Sequence, residues 1–245
     1  MMRTYRDEAI VLRTHKLGEA DRIITLLTAN NGLVRAVGKG VRRTTSKMGA
    51  RLEPFGVIDV QLHRGRNLDI ITQAEVITQH GDALSKDFEL YARACVMIEI
   101  AEKLTADSDD GARSQHLLLI GALYALAHVR HDPNLVLASY ILRALAIAGW
   151  APSFFDCAVC GAQGPHAAFS IHEGGAVCEN CRPVGASAPS FEAMELMGDL
   201  LSGEWNRADN SPDFARIEAY GLANAYAQWH VEHRIRSLRV LERNS

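Results

Sequence analysis

Four cysteines constrain this chain more than anything else in it. Cys157-Ala-Val-Cys160 and Cys178-Glu-Asn-Cys181 are separated by 17 residues, a spacing that suits two knuckles converging on one tetrahedral ion. Two residues between paired cysteines let each pair turn and aim both sulfurs at a common point, and Gly161 just after the first pair eases that turn. Between the pairs, AAFSI and GGAV read as the two strands of a hairpin, so a zinc ribbon is expected over about residues 154–184. Four thiolates leave no coordination position open to water, so one structural Zn2+ per chain is the expectation, with Cys157, Cys160, Cys178 and Cys181 as ligands. The same ligands suit iron in a rubredoxin-like centre, and His166 or His172 could stand in for a thiolate. A redox reading of the pairs lacks the βαβ context that a thioredoxin-like motif needs. The fifth cysteine, Cys95, falls on an apolar helical stripe and reads as a buried packing residue.

An odd cysteine count suggests thiols or metal ligands rather than a disulfide framework. The opening residues, MMRTYRDEAIVLRTHK, hold no apolar leader with a cleavage site, which points to the cytoplasm. The most apolar stretch, Leu135 to Trp150, is 16 residues interrupted by Ser139 and Arg143, short of the roughly 20 that a bilayer demands. It reads as a buried helix, and no membrane partner is expected.

With 245 residues the chain has room for one or two domains. Its hydrophobic periodicity changes near Gly81. Before that point AIVLRT, RIITLLT, LVRAV, VIDVQL and LDIITQAEVIT form five short β-branched runs, punctuated by turn residues at Leu17-Gly18-Glu19, Asn30-Asn31-Gly32 and Arg64-Gly65-Arg66. Five strands in some 70 residues suit an OB-type barrel over residues 1–80, with Gly40 to Arg51 as the long connection between the third and fourth strands. A sandwich also fits the spacing. After Gly81, Phe88, Tyr91, Cys95, Ile98 and Glu102 step at helical intervals, opening a helical domain over 81–245. Further helices are expected over about 113–129, from Asp132-Pro133, and from Ser211-Pro212-Asp213. The last has a stripe of Ile217, Tyr220, Asn224, Ala227, Val231, Ile235 and Leu238. The fold class is therefore α+β.

The net charge of −3 hides an asymmetry: residues 1–80 carry 13 Lys and Arg against 8 Asp and Glu, and the remainder 13 against 21. Between Asp21 and Glu53 there is no acidic residue, while Arg22, Arg35, Lys39, Arg42, Arg43, Lys47 and Arg51 all lie inside. Arg35 and Lys39 share a face at strand period, and GKGVRRTTSKMGAR reads as a flexible arm continuing from them. That composition suits a phosphate backbone, the plain alternative being a solvated loop. Residues 1–80 contain only Tyr5 and Phe55 as aromatics, too few for a cage that captures bases by stacking. The second unit offers Arg130 and Arg143 as cations on otherwise apolar helices, and Arg234, Arg236, Arg239 and Arg243 as a terminal basic cluster.

Enzyme signatures fail one by one, so no enzyme and no small-molecule substrate are expected. Five residues rather than four separate Gly32 from Gly38, and Gly40 replaces the hydroxyl of a phosphate-binding loop, which leaves strand plus turn. Lys39-Gly40-Val41-Arg42 lacks the Asp-Gly of a nucleotidyl-transferase lysine. His172-Glu173 has no second histidine four residues after the first, the cysteine pairs lack the His-x-Glu of zinc deaminases, and His230 and His233 read as a solvated helix face.

The most specific pieces of the N-terminal region are Gly18-Glu19-Ala20-Asp21-Arg22, Lys39-Gly40-Val41-Arg42-Arg43, Ser46-Lys47 and Arg51-Leu52-Glu53-Pro54-Phe55. In that order and spacing the chain resembles the bacterial recombination mediator family RecO, and the likeness extends through the helical remainder and the cysteines, which some members lack. The resemblance implies an OB fold joined to a helical domain with an embedded zinc ribbon, in a nucleoid-associated bacterial protein. It implies a non-enzymatic mediator that binds single- and double-stranded DNA, anneals complementary strands and, with RecR, helps load RecA onto strands coated by the single-strand-binding protein SSB. DNA contacts would then fall on Arg22, Lys39, Arg42, Arg43, Lys47 and Arg51, with Arg35 beside them by the strand-period reading. Arg130 and Arg143 become the candidates for the acidic, aromatic-ended SSB tail. Charge and spacing alone also accommodate an RNA-binding module of translation or transcription.

Overall fold

The computed structural model describes residues 4–106 and 111–231. The chain packs as two compact units, residues 1–128 and 129–245, so the helices that directly follow the barrel pack with it.

In the first unit β1 (Thr4–Leu17), β2 (Asp21–Thr28), β3 (Leu33–Gly38), β4 (Gly56–His63) and β5 (Asp69–Gln79) close a barrel in the order β1-β2-β3-β5-β4. Closure excludes the sandwich. It depends on the length of β1, whose Thr4–Ile10 half pairs with β4 while Ala9–Leu17 pairs with β2. A register shift between Val11 and Arg13 bends the strand from one neighbour to the other. All ladders are antiparallel except β3 with β5, which is parallel and short: Ala36, Val37 and Gly38 against Asp69, Ile70 and Ile71.

Alternation along these strands sends Ala9, Val11, Ile24, Leu26, Ala36, Ile58, Val60 and Leu62 into the barrel, where Val41 and Leu52 join them. Those last two come from the Gly40–Arg51 connection and its end. The connection is not the flexible arm that its glycines and hydroxyls suggest. It makes consecutive turns and then α1 (Lys47–Arg51), capped by Ser46, whose Oγ accepts the Gly49 N–H at 3.2 Å. Gly49 packs directly against the Val41 carbonyl, where a Cβ has no room.

After α2 (Gly81–Leu84), α3 (Phe88–Leu104) and α4 (Ala112–Ala127) pack on β1 and on each other. The cover they provide explains why Ile10, Leu12 and Leu27, on the outer barrel face, are also buried. His116 of α4 is fully buried, with Nδ1 3.1 Å from the Leu27 carbonyl and Nε2 3.1 Å from the Glu8 carboxylate. The buried face of α3 follows the expected stripe only in part: Ile98 is inside, with Leu90, Ala94, Met97 and Ala101, but Phe88 and Tyr91 are exposed and Cys95 is only half-buried. The run ACVMIEIA is apolar on nearly every side, so periodicity is a weak guide where two neighbours cover one helix.

In the second unit α5 (Pro133–Ile147) starts as expected, with Asp132 accepting the Asn134 and Leu135 N–H groups, and is buried continuously from Leu135 to Leu142. It packs against α6 (Phe191–Ser202) and α8 (Asp213–His230), with the one-turn α7 (Trp205–Ala208) between those two. On α8 the buried residues are Ala215, Ala219, Ala223, Asn224, Tyr226 and Ala227, while Ile217 is 73% exposed. Small residues let two helix axes approach closely, and a hydropathy stripe overweights the isoleucine. Ile235 and Leu238, at the end of that expected stripe, lie outside the described residues. No helix among those described is long and apolar enough to cross a membrane.

Candidate metal centre and nucleic-acid interface

The segment between α5 and α6 contains the hairpin expected there, β6 (Ala168–Ser170) against β7 (Gly175–Val177). Each cysteine pair turns as a knuckle: the Gly161 N–H donates to the Cys157 carbonyl, and the Cys181 N–H to that of Cys178. Gly161 takes φ +71°, which makes the glycine after the first pair a conformational requirement.

The four Sγ atoms lie within 4.8 Å of one another. Cys160 and Cys178 are 3.8 Å apart, the edge of a tetrahedron with metal–sulfur bonds of about 2.3 Å. Backbone N–H groups of Cys178, Cys160 and Val159 stabilise the Cys157 thiolate and bring its pKa down to about 6. The Cys181 thiol donates to the Cys178 and Cys160 sulfurs, which keeps it protonated and pushes its pKa up to about 12. Four sulfurs this close cannot all ionise without a cation between them, so the donor set fits a metal. The histidines stand aside: His166 Nε2 is 2.9 Å from the Ala162 carbonyl, and His172 packs edge-on against Trp229.

The seven cations of the acid-free segment divide into two groups. Three are engaged. Arg22 pairs with Glu53 at 2.7 Å, the Arg42 guanidinium donates to the Gly18 carbonyl at 2.7 Å, and that of Arg51 donates to the Ala74 carbonyl at 2.8 Å. The side chains of Arg35, Lys39, Arg43 and Lys47 are exposed and have no ion pair or hydrogen-bonded partner among the described residues. Arg35 sits on the outward face of β3, Lys39 follows that strand, and Arg43 and Lys47 lie on the connection and at the start of α1.

Both early aromatics are committed elsewhere. Phe55 is buried and meets Tyr91 edge-on, while Tyr5 donates to Asp69 and lies under the Arg64 guanidinium, 4.7 Å from the ring centroid. Burial, the Asp69 hydrogen bond and its charge raise the Tyr5 pKa far above the ordinary value.

Arg130 lies in the turn after α4 and Arg143 on α5, both exposed. Arg234, Arg236, Arg239, Arg243 and His233 fall outside the described residues. Sequence reasoning missed Asp21, whose Oδ1 accepts the Gly40 N–H at 2.7 Å. Its signal was its place, the last acid before the acid-free stretch.

These features define an OB-like barrel protein with a helical second unit and a four-cysteine metal-ligand set. Residues 2–80 match the family described as Recombination protein O N terminal, and residues 85–239 match Recombination protein O C terminal. The DNA repair protein RecO of Thermobifida fusca (strain YX) is 54% identical over 242 residues, which cover 99% of this chain and 100% of that protein. The chain belongs to the RecO family of recombination and DNA repair proteins.

Proposed function

We propose that this chain is a non-enzymatic mediator of recombinational repair that holds single-stranded DNA by its phosphates and accelerates pairing of complementary strands without ATP. One observation carries the reading: the side chains of Arg35, Lys39, Arg43 and Lys47 stand unpaired among the described residues on an acid-free segment of the barrel, with no free aromatic beside them in residues 4–80. Two backbones repel, and a surface that neutralises both raises their encounter rate. Bases left unstacked keep their pairing edges available. Family membership favours DNA over the RNA alternative.

Cys157, Cys160, Cys178 and Cys181 would hold Zn2+, which in a closed thiolate site supplies folding energy and no reaction step. RecR, the SSB tail and assembly of RecA filaments are the partners that the family resemblance supplies. Arg130 and Arg143 are the exposed cations proposed for the SSB tail, and tail-peptide binding that survives both Arg→Ala changes rejects them.

The test is the pairing rate of labelled complementary strands at low and high salt. Acceleration by the wild type, lost when Arg43 and Lys47 are changed to Glu, is expected. Tight single-strand binding that slows pairing relative to buffer means that bases are being sequestered, and rejects annealing.

A further inference from the structure

We infer that Asp21 and Arg42 are positioning residues of the DNA-binding loop, and that Arg42 acts through a carbonyl rather than through phosphate. Three hydrogen bonds join the β1–β2 turn to the connection that follows β3. The Gly40 N–H donates to Asp21 Oδ1 at 2.7 Å, the Arg42 N–H to the Ala20 carbonyl at 2.9 Å, and the Arg42 guanidinium to the Gly18 carbonyl at 2.7 Å. The clamp thus grips the backbone on both sides of Val41, whose buried side chain anchors the loop from within the barrel. Beyond it the chain closes on itself, the Arg43 N–H donating to the Gly40 carbonyl at 3.1 Å and the Ser46 N–H to that of Arg43 at 2.9 Å.

The clamped residues alternate with the free ones. Lys39 precedes Gly40, Arg43 follows Arg42, and Lys47 follows the cap Ser46. Gly18 and Gly40, at φ +57° and +68°, let the two turns present their carbonyl and N–H groups to each other. Asp21 is therefore an acid placed to hold a basic loop in shape. A fixed loop has its ordering entropy already lost before the ligand arrives, so it binds more tightly than a loose one carrying the same charges.

This inference rests on the proposed binding role of Lys39, Arg43 and Lys47, and the experiment separates the two. Affinity of the full-length chain for a fluorescent oligothymidylate is measured across a salt series. Counterion release depends on how many phosphates are neutralised, so losing one contact lowers the log–log salt slope by about 0.7, whereas loosening the loop weakens binding at every salt with the slope kept. Electrostatics alone predicts that Asp21→Ala, which removes a negative charge, tightens binding. The clamp predicts the opposite, a loss of about fivefold at an unchanged slope. Asp21→Asn, which keeps the acceptor for Gly40, should return to within about twofold of wild type. Arg42→Met should weaken binding with the slope retained, and it carries the same readout if Asp21→Ala does not fold. Equal or tighter binding by Asp21→Ala, or a slope lowered by about 0.7 in Arg42→Met, overturns the inference. If Lys39→Gln with Arg43→Gln leaves both affinity and slope intact, the binding role of the loop fails, and the clamp has nothing to present.

Discussion

Two long connections of this chain, Gly40–Arg51 in the first unit and the cysteine segment of the second, keep their shape in opposite ways. The first is held by groups that do not do its proposed work. The carbonyls of Gly18 and Ala20, the Asp21 carboxylate, the Val41 side chain and the Ser46 cap fix the backbone, and Lys39, Arg43 and Lys47 are left free. In the second, the groups that would bind the ion are the ones that organise the loop: Cys157, Cys160, Cys178 and Cys181 converge from two knuckles. Folding and binding are separable in the first connection and inseparable in the second.

The largest expected effect tests that inseparability. Cys160→Ser with Cys181→Ser should abolish metal binding, and since structural zinc sites contribute on the order of 10 kcal/mol, residues 154–184 should become open to protease. Single-strand binding by the barrel should stay within about twofold, as the two connections belong to different units. Elemental analysis, proteolysis and anisotropy read the three parts, and protection of the segment without metal breaks the contrast.

Next in size is charge reversal of Lys39, Arg43 and Lys47 to Glu. About three phosphate contacts vanish, the salt slope falls by about 2, and the melting temperature of the chain barely moves. A large melting shift would show that these side chains support the fold and are not free.

A smaller effect is expected from Ala223→Leu on α8. This residue is fully buried in the interface that α8 makes, and overpacking there costs about 1–3 kcal/mol, seen as a lower thermal midpoint with unchanged salt slope. The smallest concerns pH. His80 is buried beside His128, and desolvation first, then the neighbouring charge, lower its pKa. Its neutral form is favoured in the fold, so below its ordinary value of about 6.5 the unfolded chain binds more protons and stability falls with pH. The thermal midpoint should drop modestly between pH 7.5 and 5.5, and less so in His80→Asn.

The cysteine spacing was readable because its constraint is local: two residues in each knuckle and a hairpin between them. The barrel was readable because its strands alternate against an inward face, as Ile24, Leu26, Val60 and Leu62 do. What sequence concealed is non-local. Seven cations look alike on a line, and only folding shows that Arg22, Arg42 and Arg51 are engaged by Glu53, Gly18 and Ala74. Glycines and hydroxyls suggested freedom at Gly40–Arg51, but the partners that remove it lie twenty residues back in the β1–β2 turn. On α3 and α8 the stripes held only in part, at Ile98 and at Asn224, Ala227 and Val231, because burial follows the number and closeness of neighbours, which hydropathy does not encode. Ala219 and Ala223 are inside while Ile217 is out.

The parallel pairing of β3 with β5 has a consequence for how the barrel breathes. Every other ladder of the barrel runs over six residue pairs or more, whereas this one closes on three, Ala36–Gly38 with Asp69–Ile71. A cylinder opens at its shortest seam, so these amides should be the first of the barrel ladders to exchange their hydrogens with solvent, ahead of the β1–β4 ladder on the other side. Lys39 is the next residue beyond that seam, which places the loop's first free cation at the edge where the wall parts most easily.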